Sequence, residues 1–457
     1  MRWKERIIWI FIVAISFSLN LVQPGYSLRG EEENSKYQHL FSSVFYYLTN
    51  LYVEGLDEKK IMLGAIRGML AATEDPYTRF LDRDEHKEFS SAESGKKAGI
   101  GVEVTIENGI PLVIAPVEGG PAEKAGVRAG DRIISIDKQS LKNMSFGDIL
   151  KLISGDVGTS VELEVLHSEE AESERILIKR ALFKLDYCRG YLLSDGKIGY
   201  IRLSHFFGED SGSMDIFRKY LIDFSKKRVR GIVIDLRNNA GGHLDMAVTL
   251  SGYFLKKGDV VVSVKGRNVS LNREYKAKGK TAVIPADMPV VVLINQGSAS
   301  ASEIMAGALQ DHGRAKLVGK KSFGKGSVQQ IVRPLPDDTA ALITVQKYFT
   351  PKNRSIHGKG LLPDVEADPI LPTEDDRYFY SKMLKTSFLG DFRKKHPEYG
   401  KTLKDIFLEE AKKAGYIFSE NFALLLLKKS YNLIDRNIPD LETDIQLARA
   451  LQEFQER

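Results

Sequence analysis

The chain has 457 residues, 28% of them charged and 43% apolar, enough for two or three domains with cores of their own. Its net charge of +5 is spread along the sequence, and no basic block with interleaved aromatics points to nucleic acid. A single cysteine, Cys188, excludes an internal disulfide and a thiolate metal cage. No H-E-x-x-H pattern is present, so neither a metal nor any other cofactor is expected.

At the N-terminus, Arg2, Lys4 and Arg6 precede an apolar run from Ile7 to Val22. Gly25 and Ser27 supply small residues at the −3 and −1 positions of a cleavage after Ser27. Residues 1–27 therefore read as a cleaved signal peptide or an N-terminal anchor, with the positive end kept inside. Either way the body is exported, to the periplasm or to the outer face of the inner membrane. Residues 36–92 read as helical, with Leu40, Val44, Tyr47 and Leu51 at helical spacing, then Ile61, Ala65, Ile66, Met69 and Leu70. Asp57 is the N-cap of the second run, and Asp75-Pro76-Tyr77-Thr78 ends it. These positions read as core packing, with a homodimer contact as a second use.

Residues 97–181 open on Gly99-Ile100-Gly101-Val102. Gly119-Gly120-Pro121-Ala122-Glu123-Lys124-Ala125-Gly126 then reads as a short helix and turn before a strand from Arg132 to Ile136. A helix is expected over Ser145–Ile153 and a strand over Ser160–Leu166. The whole pattern resembles a PDZ domain. The resemblance implies that a peptide end adds a strand beside the Val102 strand. The N–H groups of Gly99, Ile100, Gly101 and Val102 would hold its terminal carboxylate. An ordinary β-turn is the plain alternative for this glycine loop.

Residues 182–370 alternate strands and helices. Ile198–Leu203 is a strand, Ser213–Ser225 a helix and Gly231–Leu236 a buried strand, followed by the turn Arg237-Asn238-Asn239-Ala240-Gly241-Gly242. This order predicts an α/β core with a mostly parallel sheet. Further on, the apolar strand Pro289–Ile294 enters a small-residue turn, Gln296–Ser302, and a helix begins near Ser302. A second apolar run, Ala315–Val318, leads to Lys325 between two glycines, with Gln329 four residues on. A serine at such a junction has its oxygen near free N–H groups and the positive end of a helix, which can stabilise an oxyanion. A desolvated lysine can act as a neutral base. The pair suggests a serine–lysine hydrolase. Ser300-Ala301-Ser302-Glu303 also fits a capping box, and cap and nucleophile can share one helix end. None of the eight histidines sits in a nucleophile or base motif. His312 reads as a structural residue at a helix end, and His243 as a candidate cleft residue. Residues 374–457 read as helical and charged, with an amphipathic run from Ser419 to Ile434 that serves packing or dimerisation.

Ser298-Ala299-Ser300-Ala301-Ser302-Glu303 and Phe323-Gly324-Lys325-Gly326-Ser327-Val328-Gln329 resemble the active-site motifs of the carboxyl-terminal processing (tail-specific) proteases. The resemblance spans roughly residues 40 to 370, with a weaker match over Asp444–Leu451. It implies a nucleophile at Ser300, a base at Lys325 and an orienting residue at Gln329. Asp235-Leu236-Arg237-Asn238-Asn239-Ala240-Gly241-Gly242 is similar to the family's oxyanion loop. One N–H would come from Gly241 or Gly242, and another from Ala301. Ala240 stands where a proline is usual, and Asn353 where a glycine is usual. Ser154 stands where an arginine linked with switching the protease on is expected.

The implied activity is that of an exported serine endopeptidase acting on protein and peptide substrates near their C-termini, with the PDZ domain binding that end. Two rivals stand beside it. One is a PDZ-based binding scaffold with an inactive hydrolase domain, and the other is a hydrolase of small thioesters, which would leave the PDZ-like domain without a task.

Overall fold

The computed structural model describes residues 29–87, 99–107, 109–141, 144, 146–167, 173–181, 187–193, 196–206, 212–278, 283–431, 433 and 439–455. The expected targeting segment, residues 1–27, lies outside them. The chain divides into two compact units, residues 1–72 and 73–457. Among the described residues no helix is long and apolar enough to cross a membrane.

The first unit contains the helices Arg29–Leu51 and Glu58–Ala71. Asp57 caps the second, its side chain accepting the Lys60 N–H at 3.1 Å. The stripe read as core packing is not buried. Leu40, Val44, Tyr47 and Leu51 are 56%, 57%, 59% and 74% exposed. Helical periodicity marks a face that needs a partner, and a two-helix unit has too little mass to supply one.

The second unit opens with β1, Arg79–Leu81, which follows the turn at Asp75–Thr78 and was not separated from the helical segment in the sequence. Next comes a sheet built from β2 (Val102–Glu107), β3 (Ile110–Pro116), β4 (Arg132–Ile136), β5 (Gln139–Ser140), β6 (Ser160–Leu166) and β7 (Ser173–Lys179). Its order is β2-β3-β4-β6-β7, with β5 on β4, and each pairing is antiparallel. Alternate residues of β6 (Val161, Leu163 and Val165) pack with Ile100, Ile133, Ile136 and Ile149, the period-two pattern of a sheet buried on one face. β2 ends the sheet, so its outer edge is unpaired within it.

The core continues with β8 (Cys188–Leu193), β9 (Ile198–Leu203), β10 (Gly231–Asp235), β11 (Val260–Gly266), β12 (Arg273–Lys276), β13 (Val290–Ile294), β14 (Lys316–Gly319), β15 (Ser327–Leu335), β16 (Thr339–Phe349) and β17 (Val365–Glu366). One sheet runs β17-β14-β13-β10-β9-β8, parallel except where β8 meets β9. Every residue of β10 and β13 is buried, as expected of parallel strands covered on both faces. The other sheet corrects the expectation of a mostly parallel core. It runs β1-β16-β11-β12 with β15 on β16, and all its pairings are antiparallel. Across the described residues antiparallel pairings outnumber parallel ones. β15 and β16 are joined by the tight turn Pro336–Asp338, and a connection that short allows only antiparallel neighbours.

The C-terminal helices Glu374–Met383, Phe388–Lys395, Leu403–Lys413 and Glu420–Ser430 enclose Phe392, Phe407, Phe418 and Leu427. The last helix, Ile445–Gln452, returns to the parallel sheet, where Leu447 and Ala450 pack with Val233, Val291, Leu293 and Val318. That return brings Asp444, its N-cap, to the carboxyl ends of β10 and β13.

Candidate active site

β13 ends at Ile294 and the helix Ala301–Asp311 begins seven residues later, with Ser300 as its N-cap at φ 55°, ψ −114°. A non-glycine residue at positive φ costs about 1–3 kcal/mol and persists only where its surroundings impose it. Gly241 supplies part of that constraint. A Cβ there would lie 2.8 Å from Ser300 Cβ and 2.9 Å from Ala301 N, so this close approach requires glycine.

Hydrogen bonding distinguishes Gly241 from Gly242. The Gly241 N–H donates to Asn239 Oδ1 at 2.9 Å, and its carbonyl accepts the Phe206 N–H at 2.8 Å. Among the described residues the N–H groups of Gly242 and Ala301 make no hydrogen bond. Gly242 is exposed, so its donor is open to a ligand.

Lys325 lies in the loop Ser322–Gly326, before β15. Burial lowers the pKa of its amine. Glu103 opposes the shift, the Arg79 cation reinforces it, and Glu303 again opposes it. Its Nζ sits 5.2 Å from the centroid of the Tyr77 ring and makes no hydrogen bond to the described residues. The expected contact with Gln329 is absent. The Gln329 amide donates instead to Ser327 Oγ at 2.9 Å and Thr344 Oγ1 at 3.2 Å. Lys325 precedes the strand, and the register shifts between Val328 and Gln329, so the strand alternation that would align the two side chains does not hold. Both still line one cavity of about 210 Å³, with Tyr77, Arg79, Val104 and Thr105.

Glu303 joins the two loops. It is fully buried. Its Oε2 accepts the backbone N–H of Ser300 and that of Lys325, each at 2.9 Å. Its Oε1 accepts Ser322 Oγ at 2.6 Å and the Gly324 N–H at 2.8 Å. Burial pushes this carboxyl up to about 7, and the four donors pull the other way. The capping-box pattern signalled the Ser300 bond. The reach to the Lys325 loop had no local signal. Of the two histidines singled out in the sequence, His312 is the C-cap of its helix, bonding Val260 O through Nε2 at 2.8 Å, and His243 occupies the N-cap position of the helix Leu244–Ser251 without a side-chain cap bond.

A model of peptidase family S41 matches residues 197–367, a PDZ-domain model residues 112–167, and a model of the activating protease CtpB N-terminal domain residues 23–85. The chain is 35% identical over 375 residues to a carboxy-terminal-processing protease of Bartonella bacilliformis, covering 80% of this chain and 84% of that protein. It is 34% identical over 339 residues to the carboxy-terminal processing protease CtpB of Bacillus subtilis, covering 74% and 69%. The chain belongs to the carboxy-terminal processing protease family. Among solved structures it is similar to the photosystem II D1 C-terminal processing protease, with 32% identity, a TM-score of 0.62, and coverage of 72% of this chain and 86% of that one.

In this protease the PDZ fold lies directly on the loops that carry Ser300 and Lys325. Ile114 and Ala115 of β3 pack with Ala240 of the glycine turn, Ala299 beside Ser300, and Phe323 of the lysine loop. Glu103 of β2 lies 3.3 Å from His205 Nδ1. Burial alone would raise the Glu103 carboxyl, but His205 and Lys325 hold it below its ordinary range. In the glycine loop, the Ile100 carbonyl accepts the Ala122 N–H at 2.7 Å and the Gly101 carbonyl accepts the Val117 N–H at 2.9 Å. Gly101 has φ 74°, and the N–H groups of Ile100 and Gly101 have no hydrogen-bond partner among the described residues. Gly99 bridges to Ala181, and Val102 starts β2.

Behind the loops, Arg237 pairs with both Asp235 and Asp444, and Arg202 reaches Asp235 at 3.1 Å. Burial would raise the Asp235 carboxyl, but Arg237 and Arg202 hold it far below its ordinary range. The Arg237–Asp444 pair spans 207 positions, which is why Asp444 carried only a weak signal in the sequence.

Proposed function

We propose that this protease is an exported serine endopeptidase of the serine–lysine type that cleaves proteins near their C-termini. Ser300 attacks the scissile carbonyl. Neutral Lys325 takes its proton and later returns one to the leaving amine. Gly242 and Ala301 N–H groups receive the oxyanion. Gln329, in the same cavity as Lys325, takes up the amine when the lysine turns toward Ser300. No metal or organic cofactor enters this scheme.

The observation that carries the reading is Glu303 Oε2, which accepts both the Ser300 and the Lys325 backbone N–H at 2.9 Å. One buried oxygen thus places candidate nucleophile and candidate base on adjoining loops. Substrate delivery follows from β2. A peptide with a free C-terminus adds to its open edge, with the Ile100 and Gly101 N–H groups facing the carboxylate. The same strand supplies Val104 and Thr105 to the cavity that holds Lys325. The exposed stripe Leu40, Val44, Tyr47 and Leu51 supports a homodimer, and the basic–apolar N-terminus supports export with cleavage or anchoring there.

The test compares purified wild-type protein with Ser300→Ala on casein and on extract proteins, with the new C-termini mapped. Turnover by the wild type and none by Ser300→Ala is the expected result. Equal turnover by both would remove the assignment.

A further inference from the structure

The two open N–H donors, on Gly242 and Ala301, lie on different loops. One loop follows β10 and the other follows β13, adjacent parallel strands with Asp235 opposite Leu293. The sheet fixes only the roots of these loops, through the Leu236 N–H bond to Leu293 O at 3.0 Å. Beyond the roots, the spacing of the donors depends on what ties one loop to the other.

We propose that Asn295 is a positioning residue that sets this spacing. Its Oδ1 accepts the Asn238 N–H at 2.8 Å and the Gly297 N–H at 3.0 Å. Its Nδ2 donates to Asn238 Oδ1 at 2.7 Å. Two backbone donors meet the same atom, so that atom is the oxygen and the amide has one orientation. Asn238 is held at φ 52°, a strained value that these bonds offset. Neighbouring bonds extend the seam. Ser298 Oγ accepts the Asn295 N–H at 3.0 Å and donates to Leu236 O at 2.7 Å, while Ser302 Oγ donates to Asn239 O at 2.7 Å. Asn295 and Asn238 are half-buried and border a cavity of about 750 Å³. Truncating Asn295 therefore opens no void in the core. Its loss falls on loop spacing rather than on the fold.

This inference rests on the serine–lysine reading. The experiment measures kcat and KM separately on a peptide substrate, with melting temperature as a control. Asn295→Ala removes all three side-chain bonds. It lowers kcat roughly ten- to a hundredfold, as misplacement of a transition-state donor does, and leaves KM within about threefold because ground-state binding is untouched. Asn295→Asp keeps the acceptor for both N–H groups, and the Asn238 amide can rotate to donate to the second carboxylate oxygen. It recovers most of the kcat lost in Asn295→Ala. Adding Asn238→Asp to Asn295→Asp sets two carboxylates against each other, and kcat falls again. If Asn295→Ala does not fold, the Asn295→Asp single and double variants carry the comparison. An Asn295→Ala enzyme with wild-type kcat, a loss confined to KM, or no difference between the single and double Asp variants overturns the proposal. Ser300→Ala separates the two levels. If it stays active, the catalytic reading fails. If it is dead while Asn295→Ala is fully active, only the positioning role fails.

Discussion

Glu118, on the turn after β3 of the PDZ fold, accepts a hydrogen bond from Arg202 Nε of the core strand β9 at 2.7 Å. The same carboxylate pairs with Arg189 of β8, and Arg202 continues to Asp235 at the root of the glycine turn. The three side chains are 20%, 12% and 14% exposed for Glu118, Arg202 and Arg189. Removing one member of a pair this enclosed costs more than breaking a surface ion pair, because the remaining charges stay desolvated.

This contact helps hold Ile114 and Ala115 against Ala240, Ala299 and Phe323. Glu118→Ala is expected to loosen the PDZ fold from the core and raise turnover of unstructured casein severalfold. Casein turnover by Glu118→Ala at or below the wild-type rate would contradict the latch.

Among the three serines of the motif, only Ser300→Ala is expected to abolish proteolysis. Ser298→Ala and Ser302→Ala should keep measurable activity but melt at lower temperature. Each hydroxyl is fully buried and donates to a carbonyl, of Leu236 or Asn239. Those carbonyls keep the backbone N–H groups of Asn239 and Ala299, so each lost hydroxyl–carbonyl bond is a net cost of about 0.5–1.5 kcal/mol. Thermal melting beside casein cleavage reads both effects.

Lys325 has a folded pKa below its ordinary value because burial disfavours the cation. The neutral, basic form therefore grows as pH rises through that lowered pKa. kcat/KM should rise with pH and level off below the range of a solvated lysine. Lys325→Arg should be inactive at every pH, since arginine stays protonated. Lys325→Met should be inactive yet more stable at neutral pH, because it removes the desolvation cost of a buried cation. A pH–rate profile and melting curves test these outcomes together.

His167 is 3% exposed, with Nδ1 2.7 Å from Asp131 Oδ1 and Nε2 3.0 Å from Glu174 Oε2. Burial alone would lower its pKa, but hydrogen bonds to the two carboxylates raise it to about 9. A folded pKa above the unfolded one gives stabilisation that is complete below about 6.5. That stabilisation is lost as pH climbs from there to about 9. The melting temperature should fall across that window, and His167→Gln should flatten the fall. An unchanged slope in His167→Gln would show that the imidazolium does not stabilise the fold.

Much of this molecule is determined locally. The apolar runs Ile232–Ile234 and Val290–Ile294 form buried strands because each residue in them is hydrophobic enough to be covered on both faces. Ser300 stands at a helix start, and Lys325 lies between glycines, because short motifs specify those turns. The PDZ-like pattern likewise declares itself through glycine spacing and period-two strands.

Tertiary structure decided what depends on distant partners. Arg79–Leu81 becomes a strand because residues 340–342 of β16 lie beside it. Gln329 bonds Ser327 and Thr344 rather than Lys325 because the lysine precedes the strand and a bulge breaks the alternation. Gly242 rather than Gly241 keeps an open N–H because the side chain of Asn239 takes the other. The stripe Leu40–Leu51 remains exposed because periodicity specifies a sticky face but not what covers it. Sequence pattern determines the conformation of a segment and which of its faces is apolar. The pairing of donors, acceptors and charges across loops far apart in the chain is set only when the whole fold brings them within hydrogen-bonding reach.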